Sequence, residues 1–292
     1  MRFAFIAEHQ HRYPVRVLCS LMNVSRSGFY GFLARVGRGP SQREQGNASL
    51  LEQIKEIFEE SRKRYGSPRI HAELRKRQVA CSLQRVKRLM RLAGIYALRG
   101  RKYQRRKTLD TPLATANLLV PKLDIAAANQ VWYSDITFIK TSEGWLYLAA
   151  VMDAYSKRIV GYAMAEHMRT DLVIQSLRMA TKQRRMSKGL IHHSDKGSQY
   201  TSHAYQRKLT NWGMRPSFTG TGACLGNAYI ESFFATLKKE LVHQTVFATR
   251  EKARLAVFEF IEGYYNRWRL HSSLGYQSPA EFEAQGLEIL AA

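Results

Sequence analysis

Residues 129–165 constrain the fold of this chain more than any other stretch. Segments 131–140, 145–153 and 159–164 are rich in β-branched and aromatic residues, and only the turns Thr141-Ser-Glu-Gly144 and Ala154-Tyr-Ser-Lys157 divide them. Connections that short join antiparallel neighbours, because a parallel pair needs a crossover of about a dozen residues or more. The pattern predicts a three-strand meander.

Beyond the meander the texture alternates. Thr170 is placed to cap a helix running to about residue 183, 190–193 reads as a short strand, 202–212 as a helix, 214–218 as a strand and 227–239 as a helix. The result is an α/β mixed sheet, three antiparallel strands then two parallel, flanked by helices in the ribonuclease-H-like order. A further amphipathic helix is expected over 249–265, with 266–279 as a polar tail. Ahead of the sheet, 14–35 reads as two short helices about a turn with Ser25 or Ser27 capping the second, 37–47 as a linker, and 48–62, 69–77 and 83–93 as helices. Both helical stretches resemble small helix-turn-helix domains. The division expected is 1–38 helix-turn-helix-like, 39–110 basic and helical, 111–128 linker, 129–245 catalytic core, and 246–292 a helix and tail completing that core.

Charge separates these parts. The chain has 292 residues, 46 Lys and Arg against 23 Asp and Glu, and a net charge of +23, which points to a polyanionic partner. Residues 1–120 carry 25 basic and 8 acidic side chains, whereas 121–292 carry 21 and 15. In the helix at 83–93, Leu83, Val86, Leu89, Met90 and Ala93 form an apolar face, leaving Arg85, Lys87, Arg88 and Arg91 for solvent or phosphate. The run containing Arg99, Arg101, Lys102, Arg105, Arg106 and Lys107 is too dense for routine solvation and is assigned to DNA as well. A membrane surface is the weaker expectation for that partner: no apolar run is long enough to span, and no basic amphipathic helix shows an aromatic face. Cys19, Cys81 and Cys224 form neither a disulfide framework nor a zinc motif, and no secretory leader precedes them, so a reducing cytoplasm is expected.

Against that basic background three acids are conspicuous: Asp135 in mid-strand, Asp195 after the fourth strand, and Glu231 in the first turn of the helix after the fifth. A carboxylate among Val, Trp, Ile and Phe is costly to bury unless it is paired or bound to metal. Singly, Asp195 reads as turn chemistry and Glu231 as a first-turn helix charge; together with Asp135 the three converge on one edge of the sheet. Lys238, two helical turns after Glu231, shares its face and could reach a phosphate. Asp153 is the most credible competing acid, though it sits at a strand-to-turn boundary, where a structural Asp is common. His192 and His193, on opposite strand faces, cannot readily ligate one ion, so one is expected to pack and the other to face the site.

Several segments carry a further likeness: Trp132-Tyr-Ser-Asp-Ile-Thr137, His193-Ser-Asp-Lys-Gly-Ser-Gln-Tyr200, Asn227-Ala-Tyr-Ile-Glu-Ser-Phe-Phe234 with Lys238, Tyr265-Asn-Arg-Trp-Arg-Leu-His271 and Leu274-Gly-Tyr-Gln-Ser-Pro279. Tyr65-Gly-Ser-Pro-Arg-Ile70 and Arg85-Val-Lys-Arg-Leu-Met90 extend it toward the front. The chain resembles the second-reading-frame (OrfB) transposases of bacterial insertion sequences, which have a DDE core like that of retroviral integrases. The resemblance implies Asp135, Asp195 and Glu231 as catalytic residues holding two Mg²⁺ ions, with Mn²⁺ able to substitute. It implies strand cleavage and strand transfer on element ends and target DNA, a first-frame product as fusion or partner, a homo-oligomer on DNA, and a bacterial cytoplasmic, nucleoid-associated location. Gly226 departs from the family's usual acidic residue before Asn-Ala, and no leucine-rich heptads accompany Met1, so a fused first-frame product is not expected here. The competing expectations are a DNA-binding regulator or inhibitor of transposition without catalytic activity, and a junction resolvase or ribonuclease H on the same fold.

Overall fold

A computed structural model describes residues 1–37, 39, 41–98, 125–186, 188–219 and 227–291. The chain divides into two compact units, Met1–Ala97 and Leu98–Ala292.

In the first unit, α1 (Arg2–His9), α2 (Val15–Leu21) and α3 (Arg26–Gly37) enclose Ile6, Leu18, Cys19 and Phe29. Helix α1 was not expected from sequence. Ser25 caps α3, accepting from the Gly28 amide at 3.0 Å. The helix α4 (Gln42–Glu60) starts inside the expected linker, because Ser41 and Glu44 form a reciprocal capping box that satisfies the first-turn amides. Helices α5 (Ser67–Lys76, with Pro68 in its first turn) and α6 (Leu83–Leu92, capped by Ser82) follow, and Leu50, Ile54, Ile57, Ile70, Leu74, Val86 and Met90 are buried.

The second unit is built on one sheet, β1 (Val131–Thr141), β2 (Gly144–Asp153), β3 (Ile159–Ala165), β4 (Ile191–Ser194) and β5 (Arg215–Phe218), in the order β3-β2-β1-β4-β5. The first three strands pair antiparallel, and β4 and β5 join parallel as expected. One face packs on α7 (Thr170–Gln183) and α9 (His203–Asn211), with the short α8 (Ser198–Thr201) between them in sequence. Gly161 permits this approach, since a Cβ there would fall 2.3 Å from the Ser176 carbonyl of α7. Thr170 is the first residue of α7 and not its cap.

The opposite face packs on α10 (Ala228–Glu240) and α11 (Arg250–Phe258). The helix expected to continue smoothly to 265 changes at Glu259 into a π-helical segment, Glu259–Tyr265, which turns Phe260, Ile261 and Tyr265 inward. What reads as a polar tail is core. Asn266, Arg269, His271 and Ser278 are buried. Asn266 accepts from the Ile159 amide at 2.9 Å and donates to its carbonyl at 3.0 Å, pairing with β3 as a strand residue would. Helix α12 (Pro279–Ala291), also unforeseen, brings Glu283 to Arg158 and Arg184.

Candidate active site

The β1–β4 ladder ends at the pair Ser134 and Ser194; Asp135 is the next residue on β1 and Asp195 the first residue after β4. Parallel pairing thus delivers two carboxylates side by side at one end of the sheet. Glu231 comes from α10, which lies against β1, and the Asn227 side-chain amide at that helix start donates to the Ser134 carbonyl at 3.3 Å. This bond ties the start of α10 to the residue before Asp135.

The half-buried Asp135 accepts from the Ile136 amide at 2.7 Å, yet its carboxyl is pushed up to about 7. Burial is the main cause, reinforced by the negative charges of Asp195 and Glu231 and opposed by Lys238. Asp195 is exposed and oriented by the Gly197 amide at 2.9 Å, in the turn expected for it. Lys238 is itself held below the ordinary lysine range by burial, despite the attraction of Asp135. Its ammonium lies 4.8 Å from the centre of the Phe138 ring.

These acids act on one another electrostatically, but among the described residues no three Asp, Glu, His or Cys side chains already stand together at ligand spacing. The donor set is nevertheless entirely carboxylate oxygen, which suits a hard divalent cation, and an added positive charge would relieve the mutual repulsion that raises Asp135. The residues present fit such an ion.

The histidines do not take part as ligands. His192 Nε2 lies 2.7 Å from the Ser134 hydroxyl and 3.0 Å from that of Tyr205, and His193 bonds Ser217 and Thr219 at 3.0 and 3.1 Å. Burial lowers His192 to about 3 and His193 to about 4, so both are neutral structural bridges. Asp153 is structural as expected, accepting from the Asn129, Tyr155 and Ser156 amides and the Trp132 indole.

Sequence reasoning missed an aromatic stack between β1 and the start of α10. Tyr133 and Tyr229 stack with centroids 4.9 Å apart, and the Lys157 ammonium sits 4.2 Å from the Tyr229 ring. The available signal was Tyr133, two residues before Asp135 and so on the same strand face, together with Tyr229, two residues before Glu231.

In the first unit Lys87, Arg88 and Arg91 are exposed as expected, whereas Arg85 is half-buried and bonds Asn47 at 3.0 Å. Arg85 and Arg88 line a cavity with Arg43, Gly46 and Ser82. Arg99, Arg101, Lys102, Arg105, Arg106, Lys107 and Gly226 lie outside the described residues.

Comparison with known proteins agrees with this architecture. An integrase core domain model matches residues 126–224, a second integrase core domain model matches 231–287, and an HTH-like domain model matches 44–103. The Escherichia coli transposase InsF for insertion sequence IS3A is 37% identical over 289 residues, covering 98% of this chain and 100% of that protein. The transposase for insertion sequence element IS904 of Lactococcus lactis is 40% identical over 247 residues, covering 84% of this chain and 98% of the relative. The HTLV-2 integrase catalytic core domain, solved with magnesium, aligns at a TM-score of 0.42 and 13% identity, covering 54% of this chain and 97% of that one. With a near full-length match above one-third identity, the chain belongs to the insertion-sequence transposases, DNA polynucleotidyl transferases with an integrase core and an HTH-like domain.

Proposed function

We propose that Asp135, Asp195 and Glu231 are the catalytic acids of this transposase and together hold two Mg²⁺ ions, for which Mn²⁺ can substitute. The observation that supports this reading most is Asp135, a strand carboxylate pushed up to about 7 by burial and by the other two acids. Two such ions, when bound, supply activation of the attacking oxygen and stabilisation of the leaving oxygen in an in-line displacement at phosphorus. The protein's own task is positional. Gly197 and Ile136 fix the Asp195 and Asp135 carboxylates through backbone amides, and the Asn227 bond to the Ser134 carbonyl sets where α10 presents Glu231.

Lys238 is assigned to a phosphate near the scissile bond. In cleavage, a water oxygen bonds to phosphorus as the bond to the 3′ oxygen breaks and that oxygen leaves as a hydroxyl. In joining, the freed 3′ hydroxyl attacks a target phosphodiester, so no enzyme-bound covalent intermediate is required. Residues 1–110 supply most of the DNA affinity in this reading, through Arg85, Lys87, Arg88, Arg91 and the basic run after them. A homo-oligomer on DNA, a first-frame product as partner and a cytoplasmic location belong to the same proposal. No observation favours a regulator without catalytic activity. The test is nicking of the element's terminal DNA by the chain together with its first-frame product, with and without Mg²⁺; metal-independent nicking, or none, removes the reading.

A further inference from the structure

Past Ser134, among the described residues, β4 no longer pairs with β1, and that edge of β1 continues from Asp135 toward Thr141, where Phe247 bridges to it. Along this edge a cavity of about 600 Å³ opens between the β1–β2 hairpin and residues 242–247. Phe138, Lys140, Trp145, Lys238, His243 and Phe247 help to line it, and none of its lining residues is acidic. Phe138 and Trp145 are 51% and 45% exposed, unusual for two large aromatic side chains packed edge to face with centroids 5.1 Å apart. A cross-strand pair that served only the hairpin would not need to open onto a cavity whose other wall carries a lysine shared with the catalytic acids.

We infer that this cavity binds one unpaired nucleobase of the DNA end, beside the cleaved bond. The inference rests on the transposase active site proposed above. A nucleobase is the component of DNA that uses an aromatic face, and stacking on Phe or Trp is indifferent to base identity because every base has a π face. The adjoining phosphates are anionic, which matches Lys140 and Lys238 and the lack of acids in the lining. Lys238 lies over the Phe138 ring and acts electrostatically on Asp135, so one side chain spans the distance between the base site and the acids. An acidic peptide would match the lysines but leave the aromatic faces without a role.

The experiment uses the full chain and duplexes of the element's terminal sequence, with a single abasic nucleotide or a single 2-aminopurine placed in turn at each position flanking the cleaved bond. At one position 2-aminopurine fluorescence should report loss of stacking in the duplex, and Phe138→Ala should abolish that signal. Phe138→Ala and Trp145→Ala should each weaken binding of intact DNA about tenfold and have no further effect on DNA abasic at that position. Phe138→Trp, which keeps a stacking face, should restore binding. Melting curves exclude a folding defect. Pocket variants that bind every duplex like the unmodified chain, while Mg²⁺-dependent nicking persists, overturn the base site alone. Absence of Mg²⁺-dependent nicking by the unmodified chain together with its first-frame product overturns the transposase site and the base site with it.

Discussion

The Nε2 of His192 stands 2.7 Å from the hydroxyl of Ser134, a buried bond that crosses from β4 to β1 just before each strand delivers its carboxylate. This bridge makes the site acid-sensitive. His192 is held near 3 in the fold by burial, against about 6.5 in the unfolded chain, so the unfolded state binds the extra proton between those values. The stability this neutral histidine contributes is complete above pH 6.5 and is lost as pH falls toward 3. Urea unfolding should show a drop between pH 7.5 and 5 that is smaller by about 2 kcal/mol in His192→Gln. An equal drop in the two proteins would show that His192 does not carry the effect.

Asp135 runs in the opposite sense. Its folded value near 7 lies above the unfolded 3.8, so the stability it contributes is present below 3.8 and lost as pH rises through 7. At pH 8 without metal, Asp135→Asn should therefore raise stability by roughly 1 to 4 kcal/mol. Mg²⁺ should raise the melting temperature of the unmodified chain at that pH and leave the variant unmoved. A destabilised variant would contradict the burial of a charged carboxylate.

Asp135→Asn, Asp195→Asn and Glu231→Gln keep side-chain shape and remove the charge that would hold metal. Each should abolish cleavage and joining while DNA affinity stays within about a factor of two, since affinity comes chiefly from phosphate contacts elsewhere. Any one of them cleaving at near the unmodified rate in Mg²⁺ would leave the catalytic set.

Lys238→Ala should lower strand joining and end-specific binding far more than stability. The half-buried ammonium over Phe138 contributes about 0.5 to 1 kcal/mol to folding. Melting and joining assays on the same preparation decide between the roles, and normal joining with a large melting loss would assign Lys238 to the fold.

In the first unit, Arg88→Ala should reduce the slope of log affinity against log salt by roughly 0.9, the loss of one phosphate contact, with little effect on melting. Arg85→Ala should also lower melting, because its guanidinium bonds Asn47 of α4. An unchanged slope for Arg88→Ala would leave that side chain in solvent.

The sheet was legible because its strands are separated by hairpin turns and its β-branched residues are dense, and the positions of Asp135, Asp195 and Glu231 on it follow from strand and helix ends. Period and composition register neighbours in sequence, and what they missed is made of distant pairs. Asn266 looks like a loop residue until the backbone of Ile159, more than a hundred positions earlier, meets its side-chain oxygen and nitrogen. Likewise Arg269, His271 and Ser278 read as solvated tail because their polarity is visible and their partners are not. The Ser41 and Glu44 capping box was visible, but the Gly, Pro and Gln around it suggested a linker. In the site itself, the spacing of Glu231 and Lys238 was readable, while the contact of Lys238 with Phe138 depends on how α10 crosses β1.

One ion pair sets a practical limit on how this enzyme can be dissected. Glu240, at the end of the helix that presents Glu231, is buried against Arg269, whose Nη2 donates at 2.9 Å, and it also accepts from the Tyr264 hydroxyl at 3.1 Å. A fragment ended at residue 245, where the alternation of strands and helices stops, would strip Glu240 of Arg269 and Tyr264 and uncover the apolar sheet face that Phe260, Ile261 and Tyr265 close. Leaving a buried charge without its counter-ion costs about 3 to 5 kcal/mol, a large share of the stability of a domain this size. A catalytic fragment that keeps this pair must therefore run past Arg269, and the pairs of Glu283 with Arg158 and Arg184 carry the limit on into α12.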